Sequence, residues 1–488
     1  MKLILLNYRN GWSCNSSSSH TTILTSRPEK FSDDTFGDYD WNEFILKSSF
    51  EKMNYFKSQI NANLYGVSKK IKNEIYKELN LKKNKIEEVD HQSVWNLPVN
   101  PDKHTLHLGF LKKLKEYLLQ DNIVILGGDD SGVHNISLNF LVDHPSYIVN
   151  KISFCYDSLI CYQDGEVFTF IDTGKGEKFK LTFDEKLENK YNKSFTPDLI
   201  DFNIMDTCNE NCPFCYRGCT KDGKQASLDT IKKYIKYFAL QLKCCEIVLG
   251  GGNLFMYYDI NGLKNLIKDF NKNGVNNTRD KYNPHVWFNT TVQINSLKRA
   301  ELLMGKDKLF DFLSSFCRVA VSCFTLDDFK YVERLQKYCL SNNNTTWMRV
   351  NFICQFIPDI ISDDTLLKIA EENKSGMTVS LLGYKTTGRG NSVNHLKKSD
   401  EVINKFLDII SSKENYGNDL SVDTCFVNEY RDVLEKRDCL KFSYYTEEGK
   451  FSCFVDGVKN KMASSSYDIN QDDILPDMSN MLDIFHKY

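Results

Sequence analysis

No uncharged apolar run in this chain of 488 residues approaches the ~20 residues that a membrane-spanning helix needs. Runs such as Asn122-Ile-Val-Ile-Leu-Gly127 are far shorter, so no membrane partner is expected. The opening segment, Met1-Lys-Leu-Ile-Leu-Leu-Asn-Tyr-Arg-Asn10, holds an apolar stretch too short for the core of a secretory leader. A charge excess is missing too. Lys and Arg number 62 against 65 Asp and Glu, a net charge of −3 with a pI near 6.3. Without a global basic field, tight nonspecific nucleic-acid binding is disfavoured. The compact cysteine framework of a small secreted domain is missing as well. The sixteen cysteines are spread over a long chain. A reducing cytosol is therefore the expected compartment, with cysteines free, metal-bound or catalytic.

What is present is ample material for a large core: 41% of residues are hydrophobic. The length predicts two or three domains. Residues 1–195 read as an α+β accessory or substrate-recognition region. They hold a strand at Met1–Asn7, a polar loop at Ser16–Thr22, helical patterns over 43–82 and 104–120, and hairpins over Lys151–Phe183 with turns at Asp164-Gly165 and Gly174–Gly176. From about Pro197 strand-like runs alternate with helical patterns. The strands are expected at Leu199–Met205, Cys244–Leu249, His285–Thr290, Phe316–Cys323, Trp347–Cys354 and Met377–Tyr384. The helices are expected at 227–242, 261–272, 295–304, 326–339, 363–373 and 398–412. Six βα units in a row predict an α/β fold, a partial (β/α)6 barrel over 196–415. Its reactive face lies at the C-terminal ends of the strands. Residues 416–488, with a helix over 427–437, are expected to form a small C-terminal cap.

The chemistry concentrates just after the first of those strands. Cys208, Cys212 and Cys215 stand in Thr207-Cys-Asn-Glu-Asn-Cys-Pro-Phe-Cys-Tyr-Arg-Gly218, a C-x3-C-x2-C spacing. Thiolates are soft ligands suited to iron–sulfur clusters or zinc. A structural zinc site wants four closed ligands, and Cys219 could serve as a fourth. Three thiolates alone could hold three irons of a 4Fe–4S cluster and leave the fourth iron open. The position after a first strand favours a cofactor site.

This segment resembles the signature of the radical SAM superfamily, C-x3-C-x-φ-C with φ aromatic, here Phe214. The resemblance covers residues 197–395. It implies an enzyme in which the three cysteines ligate a 4Fe–4S cluster and S-adenosylmethionine (SAM) chelates the open iron. It also implies reductive cleavage to a 5′-deoxyadenosyl radical that abstracts hydrogen from a substrate. The cofactor carries the hard chemistry, and the protein supplies binding, orientation and exclusion of water. A flavodoxin- or ferredoxin-type electron donor is the partner such chemistry needs.

Other SAM contacts follow from the same resemblance. Gly250-Gly251-Gly252-Asn253 ends the second strand where the superfamily carries a Gly-Gly-Glu motif. Asn253 stands in the Glu position, able to accept a hydrogen bond but without the charge. Lys385 and Arg389 flank the Gly-rich turn after strand six, near where the family places adenine and the SAM carboxylate; cations beside such a turn suit an anion. Ser322 on strand four and Asn351 on strand five occupy positions that often meet SAM ribose or carboxylate. Asn289, Thr290 and Thr291 at the end of strand three could face SAM or substrate, or be ordinary satisfied polar residues. No catalytic acid or base stands out.

Cys425, Cys439 and Cys453, with Gly449 shortly before Cys453, resemble a SPASM-like auxiliary-cluster domain. Where a fourth cysteine is expected the chain reads Ala463-Ser-Ser-Ser-Tyr467. The domain is therefore read as degenerate, with buried structural cysteines preferred over an auxiliary Fe–S cluster. Cys244, Cys245, Cys317, Cys323, Cys339 and Cys354 read as buried small hydrophobes, and Cys14, Cys155 and Cys161 as weak metal candidates. Gly127-Gly-Asp-Asp130 could bind a metal or phosphate, but a tight Asx turn is the preferred reading. The substrate is expected to be a peptide or protein, with a small metabolite or nucleotide as the alternative. A non-catalytic iron–sulfur or zinc protein that senses redox state is the rival from another class.

Overall fold

A computed structural model describes residues 4–9, 23–25, 44–64, 67–81, 97, 99–100, 105–121, 123–127, 159–172, 178–187, 193–244, 246–273, 286–342, 351–373, 377–393, 397–411, 420–437 and 447–488. Cys14, Cys155, Cys245, Cys439, the Ser16–Thr22 loop and residues 128–134 lie outside the described residues. The chain divides into two compact units, Met1–Tyr191 and Asn192–Tyr488.

In the first unit, strands β1 (Ile4–Arg9), β4 (Val99–Asn100), β5 (Thr105–Leu106), β7 (Leu159–Asp164), β8 (Val167–Asp172) and β9 (Lys178–Thr182) form one sheet in the order β1-β9-β8-β7-β4-β5. Strands β2 (Ile23–Thr25), β3 (Phe44–Leu46) and β6 (Val124–Gly127) form a second, ordered β2-β6-β3. The expected helical stretch 43–82 resolves into α1 (Ser49–Asn63) and α2 (Lys69–Glu78), and 104–120 into α3 (Leu108–Leu118). Ser48 and Ser68 cap the first two through their side chains. Phe110 of α3 packs edge-on against Phe168 and Phe170 of β8, at 5.5 and 4.9 Å between ring centroids. Lys52 is buried because its ammonium donates to the Gln120 and Ile123 carbonyls at 2.7 and 2.9 Å.

The second unit is built on a parallel sheet covered by helices. Its strands are β10 (Leu199–Met205), β11 (Glu246–Gly251), β12 (Trp287–Gln293), β13 (Arg318–Ser322), β14 (Asn351–Phe356) and β15 (Val379–Leu381). They pair in sequence order, all parallel. Helices α4 (Leu228–Leu240), α5 (Ile260–Asn273), α6 (Ile294–Met304), α7 (Lys306–Leu313), α8 (Leu326–Asn342), α9 (Asp363–Glu372) and α10 (Asp400–Ser411) connect them. Period-two alternation sorts the side chains. Phe202 of β10 turns out toward α4, 5.1 Å from Phe238 and 5.3 Å from Tyr234. This parallel α/β sheet is the expected barrel architecture.

The sheet continues beyond the six expected strands on both sides. β16 (Leu420–Val422) adds in parallel to β15. β17 (Ser452–Asp456) adds in parallel to β10, and β18 (Lys461–Ala463) and β19 (Asp472–Asp473) follow antiparallel. The helix expected over 427–437 is two short ones, α11 (Thr424–Glu429) and α12 (Arg431–Lys436), and α13 (Met481–Lys487) ends the chain. β17 was hard to foresee because its partner lies about 250 residues earlier, and local pattern carries no information about such a pairing.

Candidate functional site

The cysteine loop leaves β10 and closes on its own base. The Thr220 carbonyl accepts from the Cys208 amide at 2.7 Å, and the Lys224 carbonyl accepts from the Asp206 amide at 2.8 Å. Inside the loop the Cys215 amide donates to the Cys212 carbonyl and the Gly218 amide to the Cys215 carbonyl, at 3.2 and 3.1 Å. The three thiols are free and partly exposed, whereas Cys219 is buried. Burial pushes the Cys212 thiol up to about 11, with the neighbouring Cys215 and Cys208 acting in the same direction. Burial also raises Cys208, with Cys215 contributing. The Cys219 thiol, hydrogen-bonded to Cys215, holds Cys215 below its ordinary range and is itself raised.

The glycine run packs against that base. The Gly252 and Asn253 amides donate to the Met205 and Thr207 carbonyls at 2.7 and 2.8 Å. A Cβ on Gly252 would overlap the Thr207 carbonyl oxygen, and one on Gly251 (φ +126) the Met205 carbonyl oxygen. The cysteine loop's backbone thus explains the glycines at 251 and 252 without a ligand. Gly250 lies in register with Asn203. The Asn253 amide donates to the Asn209 side chain at 2.9 Å, and its carbonyl oxygen accepts from the Phe255 amide at 3.2 Å. Here Asn253 ties the glycine run to the cysteine loop.

The turn after β15 grips the loop from another side. The Arg389 amide donates to the Cys215 carbonyl at 3.0 Å. Its Nε donates to the Cys212 carbonyl and its Nη1 to the Cys219 carbonyl, both at 2.9 Å. Its Nη2 is buried without a hydrogen-bond partner. Gly388 (φ +53) sits so close to the Tyr216 carbonyl that a side chain would collide with it. Lys385 is differently engaged. Its ammonium pairs with Asp423 at 3.2 Å and lies over the rings of Tyr216 and Tyr467 at 4.9 and 5.3 Å. Burial works against that charge, and the Asp423 carboxylate more than offsets it, so the ammonium stays protonated.

A third grip comes from β17. The Arg217 Nη2 donates to Asp206 at 2.9 Å and to Asp456 at 3.1 Å, and its guanidinium lies 4.8 Å from the Phe454 ring centre. The Asn203 amide donates to both carboxylates, at 3.2 and 3.1 Å. Burial disfavours the Asp456 charge, yet Arg217 beside it holds the carboxyl below its usual range. Arg217 Nε is buried without a hydrogen-bond partner.

Phe214 packs on Phe324 at 5.4 Å, just past the end of β13. Ser322 ends β13 in register with Gln293 and Gln355, and Gln355 with Ser380. Asn351 is elsewhere: it starts β14, level with Arg318, four residues and roughly 13 Å below Gln355 at about 3.3 Å per residue. The residue level with Ser322 is Gln355, whose side-chain oxygen is buried and unpartnered. Period-two alternation places 351, 353 and 355 on one face and was the available signal for it. Asn289 donates to Glu246 at 3.2 Å and Thr290 to the Leu249 carbonyl at 2.7 Å, while Thr291 is exposed. Cys453 is buried in β17 beside Asp201. Cys425 is partly exposed, in the field of Asp423 and Lys385.

Among the described residues no three His, Cys, Asp or Glu side chains are drawn together into a ready metal cage. The residues nonetheless fit a 4Fe–4S cluster in two respects. The donor set is three free thiols on one loop within mutual electrostatic reach. Two arginines flank that loop with buried, unpartnered N–H groups, which suit an anionic group.

The Radical SAM superfamily model matches residues 202–350. Among curated proteins none matches. The fold is similar to solved structures of SuiB from Streptococcus suis. One match has a TM-score of 0.44 at 13% identity, covering 68% of this chain and 88% of that one. The structure of SuiB bound to the precursor peptide SuiA gives a TM-score of 0.42 at 13% identity, covering 62% of this chain and 66% of that one, just under two thirds. At such values these likenesses say nothing about substrate.

Proposed function

We propose, from the premise that this chain is a radical SAM enzyme through its domain at 202–350, that it uses a 4Fe–4S cluster and SAM to abstract hydrogen from a peptide or protein. The observation that carries the site is the cysteine loop at the C-terminal end of β10, gripped by three other strand exits. Cys208, Cys212 and Cys215 would hold the cluster. Bound there, cluster and SAM supply a 5′-deoxyadenosyl radical by one-electron reductive cleavage. The protein's own part is positioning. Arg389 fixes three loop carbonyls and keeps one N–H for an anion. Phe214 and Phe324 form an apolar wall beside the loop. Gly250, Ser322, Gln355 and Ser380 offer polar or open positions on the strands for SAM. Asn253 acts on the loop through Asn209, and Lys385 is taken up by Asp423 while it lies over the ring of the loop residue Tyr216. Asn351 is set at the far end of its strand.

A peptide is preferred over a small metabolite because residues 1–191 form a compact unit of their own. Its sheet ends in β1 and β5, and a sheet edge can accept an extended peptide as an added strand. No described helix is long and apolar enough to cross a membrane. Electrons would come from a flavodoxin- or ferredoxin-type protein.

The test is anaerobic reconstitution with iron and sulfide, then SAM and dithionite, with 5′-deoxyadenosine measured by mass spectrometry. Wild type should form it. Bound zinc in place of iron, with no SAM cleavage, would favour the structural or sensing alternative. A low-mass peptide fraction from the source cells should raise the yield, and proteinase treatment of that fraction should remove the rise. A stimulation that survives proteinase would point to a small metabolite.

A further inference from the structure

We propose that Arg217, latched to Asp456, is a positioning residue through which the C-terminal strand β17 sets how firmly the cysteine loop keeps its metal. This rests on the reading that Cys208, Cys212 and Cys215 are the ligands. Arg217 follows Cys215 by two positions and Asp206 precedes Cys208 by two, so the Arg217–Asp206 bond closes the loop across its own ends. Alone, that bond would join two parts of the same loop segment. The Asp456 carboxylate turns it into an anchored junction from a point 239 residues away in sequence.

Asp456 is built as an anchor. Its side chain is fully buried. Oδ2 accepts from Arg217. Oδ1 accepts from Asn203 at 3.1 Å and from the Val458 and Lys459 amides, each at 3.0 Å. The β17–β18 turn therefore orients the carboxylate independently of Arg217. The strand beneath is fixed by the β10–β17 ladder, which sets Asn203 opposite Asp456. The Gly457 amide extends that ladder by donating to the Asn203 carbonyl at 2.9 Å. Lys459 also approaches Asp456 and Asp206, at 3.7 and 3.6 Å, but from a half-exposed side chain. Arg217 is the buried cation, and removing one member of a buried pair leaves the other uncompensated, so loss of either residue disturbs the other and the loop with it. The surroundings of Arg217 fit a role beyond closing the loop. One of its nitrogens, Nε, is buried and unpartnered while Nη2 holds both carboxylates. Outer-shell partners of metal ligands commonly change metal retention by roughly 10–100-fold when removed.

Full-length protein is reconstituted, and iron release to a ferrous chelator is followed for wild type, Asp456→Asn, Arg217→Lys and the double variant. Lys461→Ala, on the same hairpin and paired with Asp473 at its rim, serves as control. The expected result is release about tenfold faster or more in each single variant. The double variant should be no worse than the worse single, since both act through one contact, and the control should match wild type. The reduced-cluster EPR spectrum should shift in both single variants, which general destabilisation would not produce. Should Asp456→Asn fail to fold by circular dichroism, Arg217→Lys decides alone, because it keeps the cation and removes the fork. Wild-type release rates and spectra in Arg217→Lys overturn the proposal, as do additive effects in the double variant. Should the wild type hold zinc, the cluster reading fails, and zinc release from the same variants still decides the latch.

Discussion

The cysteines of the loop and the cysteines of the strands are the same side chain put to opposite uses. Cys208, Cys212 and Cys215 are partly exposed on irregular backbone. Their carbonyls and flanks are held by Arg389, Arg217 and the glycine run, which leaves the thiols partly exposed, with Cys215 bonded to Cys219 within the same loop. Cys244, Cys323, Cys354 and Cys453 lie in or beside strands at 2%, 1%, 0% and 2% exposure, where a thiol serves as a small hydrophobe. Burial pushes the Cys453 thiol up as it does those of Cys208 and Cys212, so exposure and not the direction of the shift separates the two groups. What separates the two groups is the element that carries them. A strand alternates its side chains into packing, whereas a loop fixed through its backbone leaves its side chains uncommitted.

The largest effect should come from the loop itself. Replacing Cys208, Cys212 and Cys215 with Ala together should abolish the brown chromophore and 5′-deoxyadenosine formation. Full iron content in that protein would erase the distinction between loop and strand cysteines. Next is Arg389→Met, which removes two side-chain hydrogen bonds to loop carbonyls and the spare N–H while keeping an apolar stem. Iron retention should fall by roughly tenfold or more, read by chelator release, with little change in secondary structure. Gly252→Ala should act through the backbone, because its methyl would overlap the Thr207 carbonyl. A cost of about 1–3 kcal/mol is expected from overpacking, seen as a lower denaturation midpoint together with reduced iron. Loss of stability with full iron retention would detach the glycine run from the loop.

How much of this was legible in the sequence depends on range. The strand at Leu199–Met205 and the helices after it follow from local periodicity. The cysteine loop follows from spacing, because its ligands are neighbours in the chain. The same alternation groups positions 351 and 355 on one face of the strand. Choosing between them requires the register against β13, which only the paired strands display. The pairing of β17 with β10 and the Arg217–Asp456 contact were not legible at all. Nothing local in Ser452–Asp456 says which strand it joins. The reassignment of Lys385 has the same cause: Asp423 and Tyr467 reach it from separate parts of the chain.

The smallest effect should come from the buried strand thiols, and it tests the other half of the comparison. Cys453 lies buried in β17, opposite Ile200 of β10. Cys453→Ala removes one buried sulfur and leaves the backbone ladder untouched. A cost of about 1 kcal/mol is expected, the usual size for a single modest core truncation. In a unit of this size that lowers the thermal midpoint by about 2–4 °C. Iron content, chelator release and 5′-deoxyadenosine formation should equal those of wild type. The contrast with the loop lies in this separation, with stability altered and metal unaltered. Loss of iron equivalents from Cys453→Ala with the fold intact would show a second metal site fed by the strand cysteines. The sorting of cysteines by loop and strand would then fail at its simplest case.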